Sequence, residues 1–309
     1  MLSAISPAGQ QFVNTINNVQ AQLAIAEQQI ATGLKVSQPS DAPDQISPIL
    51  QLHSAIQQNQ SIQDGLNAAT TTLQASDTAL SGAINLLQSA SVIATQATGT
   101  SQTATTRATL AQNVQTIMEQ MVAASSTMVG GRYIFSGDQA GQPLYQLNLT
   151  APTGVDRLQV SNATTLVQGT AGAQYPVSLS SNVIFDPRDS SDAPTSNNSF
   201  AALNSLRVAL LNNDTTAITA SISALSSAST YMNSQLAFYG QAENRVSSDL
   251  NQAQSNSVQL QTQLSSMTDA DMTQAMTALT QGTTQLQAAL SARAKLPTTS
   301  LFDVLPATA

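Results

Sequence analysis

The sequence predicts a mainly α-helical fold: an elongated antiparallel helical bundle or coiled coil, formed by the N- and C-terminal halves, with a small β-rich inserted domain. Apolar residues recur at alternating steps of four and three in both halves, the spacing of helices that pack side by side. Prolines, glycines and short alternating runs replace this pattern in the middle of the chain. Only 4% of the 309 residues are aromatic and none is tryptophan, which suits slender helices with small side chains at their contacts.

The clearest helix lies in the C-terminal half. Its row of apolar residues at alternating steps of four and three, which we call a seam, runs over residues 218–267. These residues contain no proline and a single glycine. One helix of about 75 Å is therefore feasible at 1.5 Å per residue. Earlier seams cover residues 66–87 and 110–128, and we interpret Gly130 and Gly131 as the end of the second of these helices. Three helices with such seams satisfy one another by packing side by side.

Both ends of the chain carry a further seam that is short and low in charge, so neither is expected to be stable alone in water. The seam residues that we assign to assembly are Ile5, Phe12, Ile16, Val19, Leu23 and Ile30 near the N-terminus and Met272, Met276, Leu279, Leu286 and Leu290 near the C-terminus. Pairing within one chain and ordering against neighbouring subunits are both compatible with the periodicity. The apolar positions near the C-terminus are shifted by one residue relative to those of the long helix, and the shift falls at residues 268–271. Either a new capped helix begins there, or one continuous helix contains a stutter.

These patterns divide the chain into three parts. Residues 1–40 and 270–309 are expected to be terminal helical assembly segments, and residues 41–131 and 201–269 a helical core bundle. Residues 132–200 are expected to form a β-rich insert, because runs such as YPVSLS and NVIFD are bounded by turn residues. A loop-rich insert is the competing interpretation, since these runs are short and polar.

No catalytic, cofactor-binding or metal-binding group is expected. The chain has no cysteine, and its single histidine, His53, lies in a polar stretch that we interpret as helix surface. Asp186, Asp189 and Asp192 recur every three residues but lack the spacing of a calcium loop, so a solvated turn is favoured. The sequence also lacks a phosphate-binding glycine loop and the nucleophile motif of hydrolases, which argues against an enzyme.

Charge and hydropathy narrow the range of partners. The formal charge is −8, and nine Lys and Arg are spread from Lys35 to Lys295, so no basic patch is evident. Nucleic acid and membrane surfaces are therefore not expected as partners. No apolar run approaches the roughly 18 residues of a spanning helix. The opening MLSAISPAGQQ lacks the basic start and apolar stretch of a secretory signal, so any export is expected to use another route.

The segment GGRYIFSGD, residues 130–138, is unusual because residues 20–129 contain no aromatic residue. Gly131 and Gly137 permit sharp turns where the core helix gives way to the insert. Tyr133 and Phe135 are expected to enter the first strand and anchor it against the bundle. Arg132 is expected to bond either helix-end carbonyls or a neighbour.

Several segments resemble the bacterial flagellin superfamily and, within it, the hook-filament junction proteins. The stretch ATGLKVSQPSDAPDQISPILQLHSAI, residues 31–56, is similar to their shared signature through Gly33, Pro39, Ser40 and Asp41. GGRYIFSGD resembles a segment of the junction proteins, whereas flagellins carry a different sequence there. The C-terminal stretch, including SLFD with Phe302, resembles the terminal helix and ending of the junction proteins.

The resemblance implies an extracellular structural component of the bacterial flagellum, exported by the flagellar type III route without a cleavable signal peptide. It implies a ring of copies of this chain between hook-associated protein 1 and the flagellin filament. The insert would face outward, and an export chaperone would bind the C-terminal helix. A flagellin that forms the filament itself is the nearest alternative, and an adhesin or hydrolase module carried by the insert is a more distant one.

Overall fold

The structure of the chain, a computed structural model, describes residues 7–161 and 164–295. It contains long helices and a few small antiparallel sheets, which confirms the predicted mainly α fold with a small β region. The helices are α1 (Pro7–Thr32), α2 (Ile46–Ala97), α3 (Ala104–Ser125), α4 (Ser181–Ile184), α5 (Ser199–Leu211), α6 (Thr215–Thr268) and α7 (Met272–Ala294). The strands are β1 (Met128–Val129), β2 (Arg132–Tyr133), β3 (Tyr145–Leu147), β4 (Val155–Arg157), β5 (Leu166–Gln168) and β6 (Gln174–Pro176). The assigned residues Ile5 and Phe302 lie outside the described part of the chain.

The chain divides into two compact units, which we call the terminal unit (residues 1–57 and 258–309) and the central unit (residues 58–257). Both points of division fall inside helices, one in α2 and one in α6. The terminal unit contains α1, α7 and the adjoining ends of α2 and α6. The central unit contains the rest of α2 and α6, the other helices and all the strands named above.

The central unit is built around one hydrophobic core. From α2 the core takes Leu66, Leu73, Leu80 and Leu87, and from α6 it takes Ile218, Leu225, Met232, Tyr239, Val246 and Ala253. Both sets repeat every seven residues, so each helix buries one continuous stripe, as its seam predicts. Helix α3 adds Val114, Met118 and Met121 to the same core.

The break between α2 and α3 falls at Gly99-Thr100-Ser101, between the two seams, and a capping box starts α3. The side chain of Thr103 accepts a hydrogen bond from the backbone N–H of Thr106, and the Thr106 hydroxyl accepts one from the N–H of Thr103. The end of α2 is closed by buried Arg107, whose Nε donates to the Ala97 carbonyl at 2.9 Å. A cation placed at a helix C-terminus in this way satisfies a free carbonyl and complements the helix dipole.

The insert carries two hairpins of very short strands. Strand β3 pairs antiparallel with β4, and β5 pairs antiparallel with β6. The second hairpin is attached to α6, because Tyr175 donates its hydroxyl proton to Asp249 Oδ2 at 2.8 Å and the guanidinium of Arg245 lies 3.8 Å from the centre of the Tyr175 ring. Each strand has only three residues, so loop makes up most of the insert.

The terminal unit contains the pair formed by α1 and α7. Helix α6 ends at Thr268, and α7 is a new helix rather than a continuation after a stutter. Its N-cap is Asp271, whose carboxylate accepts hydrogen bonds from the N–H groups of Thr273 at 2.9 Å and Gln274 at 3.1 Å. An aspartate at this position satisfies two free helix N–H groups, which is why the helix begins there.

Candidate assembly surfaces

The chain reverses after α1 and runs against the end of α6. Gly33 has a φ of +72°, and its N–H donates to the Gln29 carbonyl at 2.8 Å, which closes α1 with a left-handed residue. Leu34 forms an isolated antiparallel bridge with Asp269, and the N–H of Ala270 donates to the Gly33 carbonyl at 2.8 Å. The Gly-Leu-Lys part of the family signature therefore joins the segment after α1 to the segment before α7.

Lys35 strengthens this joint. Its backbone N–H donates to the Thr268 carbonyl at 2.8 Å, and its Nζ donates to the Ser266 carbonyl at 3.1 Å. Both acceptors lie in the last turn of α6, where carbonyls lack partners within the helix and the helix dipole favours a positive charge. The basic residue of the signature thus closes the end of α6.

The Pro-Ser-Asp part of the signature forms the turn that leads into α2. The Asp41 carboxylate accepts hydrogen bonds from the backbone N–H groups of Gln38 at 2.8 Å and Ser37 at 2.9 Å. These two N–H groups hold the pKa of Asp41 below its ordinary value. Pro39 and Ser40 are exposed within the turn. The motif therefore determines the local backbone path and presents its own side chains to solvent.

Beside this turn the terminal unit has an open groove with a cavity volume of about 630 Å³. Its apolar lining consists of Leu34, Val36, Ile46, Ile49, Leu50 and Leu264. His53, predicted to be a surface residue, is exposed in α2 and contributes to the lining. Sequence reasoning did not find this groove, because its residues come from three segments whose only local signal is the signature itself.

The terminal helices pair through small residues as well as large ones. Leu23, Ala26, Ala275 and Gly282 are buried, and a Cβ atom on Gly282 would lie only 2.7 Å from Leu23 Cδ2. Of the residues assigned to assembly, the half-buried ones are Phe12, Ile16, Val19, Ile30, Leu279 and Leu286. Met272, Met276 and Leu290 are instead exposed by 40%, 56% and 54%.

The exposed residues of α7 share one side of the helix. Met276 follows Met272 by four residues and precedes Leu290 by fourteen, and both steps return close to the same angle at 3.6 residues per turn. This apolar stripe flanks the face that contacts α1. On α1, Val13 and Ile25 are likewise 45% and 55% exposed. The terminal pair therefore keeps apolar surface that its own contact does not cover.

The segment GGRYIFSGD opens with a hairpin rather than a helix end. Helix α3 ends at Ser125, and Gly130 and Gly131 form the two-residue turn between β1 and β2, with φ of +57° and +77°. Positive φ at both central residues is typical of the hairpin turns that match strand twist, and it favours glycine. Our interpretation of these glycines as a helix end was therefore wrong.

The aromatic residues of this segment have different environments. Tyr133 is in β2 and half-buried, as expected, and Arg132 beside it is exposed. The expectation that Phe135 enters the strand was wrong, because β2 ends at Tyr133. Phe135 is fully buried after the strand, with its ring centre 5.6 Å from that of Phe185 and 6.4 Å from that of Tyr239 in edge-on contacts. Phe135 therefore anchors the start of the insert to α6. Gly137, with φ of +50°, begins the short 3-10 helix Gly137–Gln139 that follows.

Tyr239 links α6 to the far end of the insert. Its hydroxyl oxygen accepts a hydrogen bond from the Leu179 N–H at 3.1 Å, and burial raises the pKa of Tyr239 to about 12. Phe185 in turn stacks on Phe200 of α5 at 6.2 Å. The aromatic residues are concentrated here because they fill the space between the helical core and the insert.

The acidic residues near position 186 do not form a cation site. Asp186 is buried, and the guanidinium groups of Arg157 and Arg188 approach its oxygens at 2.9 and 3.1 Å. The expectation of a solvated turn is therefore wrong for Asp186, while exposed Asp189 caps a turn by accepting from the Ser191 N–H at 2.9 Å. Among the described residues, no group of three or more His, Asp or Glu is placed to hold a metal ion.

The chain is therefore a helical protein of a particular class. Its central unit is helical and carries an inserted segment, and its second unit combines residues from both ends of the chain. Two family descriptions match these parts of the chain. The bacterial flagellin N-terminal helical region matches residues 8–140, and the bacterial flagellin C-terminal helical region matches residues 209–305. The chain belongs to the bacterial flagellin family. The residues between the two matches, 141–208, include most of the predicted insert.

Similar proteins are flagellar hook-associated proteins. The chain is 31% identical over 188 residues to flagellar hook-associated protein 3 of Salmonella typhimurium, covering 60% of this chain and 59% of that protein. It is 30% identical over 205 residues to the protein of the same name from Escherichia coli, covering 65% of this chain and 64% of that one. The match thus spans less than two thirds of either relative.

A solved structure shares the fold. A chain from Vibrio parahaemolyticus, assigned as a flagellar hook-associated protein, superposes with a TM-score of 0.65 at 15% identity, covering 74% of this chain and 100% of that one. Within the described residues, no helix is both long and apolar enough to cross a membrane.

Proposed function

We propose that this chain is a structural subunit of the bacterial flagellum that assembles as a ring between hook-associated protein 1 and the flagellin filament. The observation that carries the proposal is the apolar surface left on the paired terminal helices. Met276 and Leu290 on α7 and Val13 and Ile25 on α1 are all between 45% and 56% exposed. Large apolar side chains that stay exposed on a helix pair provide surface for contacts with other proteins.

The names of the similar proteins support the same role, since the relatives from Salmonella typhimurium and Escherichia coli are hook-associated proteins. In this proposal residues 1–40 and 270–309 are the assembly segments, residues 41–131 and 201–269 the core, and residues 132–200 the outward-facing insert. The partners are further copies of the chain, hook-associated protein 1, flagellin and an export chaperone at the C-terminal helix. The protein reaches the outside of the cell by the flagellar type III route and performs no catalysis.

The test is immunogold electron microscopy on intact cells with an antibody against residues 140–182 of the insert. A single band of label between hook and filament is the expected result. Label along the whole filament would instead make the chain a flagellin and overturn the junction role. Absence of flagellar label would overturn both.

A truncation examines the part played by the terminal helices. Removing residues 270–309 takes away α7, while the hydrophobic core of the central unit, which lies between Leu66 and Ala253, stays complete. We expect the truncated chain to stay helical by circular dichroism and to disappear from the hook-filament junction. Normal incorporation of the truncated chain would show that α7 is not needed for assembly.

A further inference from the structure

The groove of the terminal unit is shaped for an apolar segment. Its floor is formed by aliphatic side chains from the start of α2, the turn before it and the end of α6, among them Leu34, Ile49 and Leu264. Leu50 is 62% exposed at this place. An exposed apolar groove with a polar edge is the usual form of a site that receives part of another protein.

The edge of the groove is acidic. Asp269 is part of the lining, and Asp41, Asp44 and Asp271 are exposed within a few residues of it. Lys35 is the nearby cation in sequence, and its Nζ is directed to the Ser266 carbonyl of α6. A segment that suits this groove therefore combines positive charge with apolar side chains.

The chain contains such a segment at its C-terminal end. Arg293 and Lys295 are two of its nine basic residues and are exposed at the end of α7. The sequence LPTTSLFDVL, residues 296–305, follows them directly and lies outside the described residues. It supplies Leu, Phe and Val side chains immediately after two cations, which is the combination that the groove requires.

The groove of the same chain is out of reach for most of this segment. Thr268 and Asp269 line the groove, and α7 begins only three residues later, at Met272. Helix α7 has 23 residues and is therefore about 34 Å long, so Lys295 lies that far from the groove. Phe302 is seven residues beyond Lys295 and extends at most about 25 Å from it. Its own groove is therefore too distant, whereas the groove of a second copy is not subject to this limit.

We propose that the groove receives the C-terminal segment, residues 293–305, of a second copy of this chain. This inference rests on the proposed ring assembly and names one contact within it. In that contact, Leu301 and Phe302 lie on the apolar floor beside Leu50, and the two basic residues face the acidic edge. The contact links each subunit to the next and does not use the apolar stripe of α7.

Photo-crosslinking of the full chain tests the contact directly. The photoreactive residue p-benzoylphenylalanine replaces His53, which is exposed and lines the groove. Equal amounts of ¹⁴N- and ¹⁵N-labelled chain are mixed and irradiated, and the crosslinked peptides are identified by mass spectrometry. The expected product joins position 53 of one isotope to residues 293–305 of the other.

Three results would overturn the proposal. In the first, residues 293–305 crosslink only to position 53 of the same isotope. In the second, mixed-isotope crosslinks form only with a different segment. In the third, no mixed-isotope crosslink forms at chain concentrations up to about 1 mM, the effective concentration that tethered sites commonly reach. The first would place the segment on its own chain, and the second would assign another occupant to the groove.

Variants provide the matched comparison. Leu50→Glu and Phe302→Glu should each reduce the yield of the mixed crosslink about tenfold, because each puts a charge into an apolar contact. Val258→Glu is the control, since Val258 is 65% exposed on α6 in the same unit and does not line the groove. Circular dichroism establishes that all three variants remain helical. An unchanged yield for Leu50→Glu would contradict the proposal.

The outcome is separable from that of the proposed function, because crosslinking uses purified chain and immunogold labelling uses cells. A mixed crosslink together with label along the whole filament would refute the junction role and leave the contact in place. Label at the junction without the mixed crosslink would refute the contact alone.

Discussion

Replacing Phe135 examines the link between GGRYIFSGD and the helical core. Phe135 is fully buried and makes edge-on ring contacts with Phe185 at 5.6 Å and Tyr239 at 6.4 Å. Such aromatic pairs contribute about 0.5–1.5 kcal/mol each beyond the area that they bury. Phe135→Leu should therefore lower the free energy of unfolding of the central unit by about 1–3 kcal/mol, and Phe135→Ala by about 3–5 kcal/mol because it also leaves a cavity.

The chain provides its own probe for this measurement. All five tyrosines lie between residues 133 and 239, inside the central unit, and there is no tryptophan. Urea unfolding followed by tyrosine fluorescence therefore reports on the central unit, and the midpoint and slope give the free energy. Val92→Ala is the control, since Val92 is 68% exposed on α2 and its loss should change stability by less than about 0.5 kcal/mol. If Phe135→Leu behaved like this control, the anchoring role of Phe135 would be refuted.

Three further predictions concern other contacts. Gly282→Leu should destabilise the pair of α1 and α7 by about 1–3 kcal/mol, because its side chain enters space held by Leu23, and faster hydrogen exchange in α1 would reveal this. Asp186→Ala should cost the central unit about 3–5 kcal/mol in the urea assay, because it removes the buried carboxylate between two largely buried arginines and leaves them only the exposed carboxylate of Asp192, and a loss below about 1 kcal/mol would contradict this. Since the pKa of Asp41 is lowered in the folded chain, its stabilisation of the turn is complete above its ordinary pKa and is lost as the pH falls through the lowered value. An NMR titration of the Gln38 amide should follow that loss, and Asp41→Asn should abolish it.

The long helices could be predicted because their cores repeat. On α6 the seven-residue interval from Ile218 to Val246 is visible in the sequence, and the buried stripe follows it. The end of α3 could not be predicted in the same way, since a glycine pair is equally compatible with a helix end and with a hairpin turn. The difference depends on whether Met128 and Val129 find a partner strand, which is a tertiary contact.

The terminal contact shows a second limit of pattern reading. Large apolar side chains define a seam in sequence, so Met276 and Leu290 were assigned to it. The buried residues of α7 are instead the small residues Ala275 and Gly282, and at Gly282 an added Cβ atom would lie 2.7 Å from Leu23 of α1. Hydrophobic periodicity gives little weight to such residues, although close helix packing depends on them.

The groove and the ion pairs of Asp186 could not be predicted from the sequence, because each brings together residues that are far apart in the chain. Asp186, which follows α4, pairs with Arg157 of β4, and Leu34 and Leu264 line the same groove although most of the chain separates them in sequence. No spacing rule connects residues so far apart. The family signature could be recognised in the sequence, whereas its physical task, closing α1 and α6 around one turn, became visible only in three dimensions.

The bond between Lys35 and Ser266 has a consequence for the order of folding. These two residues are 231 positions apart, yet both belong to the terminal unit. The central unit is one continuous stretch and contains all of its own core, so it can fold while a chain emerges from its N-terminus onward. The terminal unit can fold only after the residues that follow the central unit have emerged, because it combines them with residues that precede the central unit. Residues near the N-terminus therefore remain without their partners for longer than any others, and the joint at Lys35 is completed only at the end of the process.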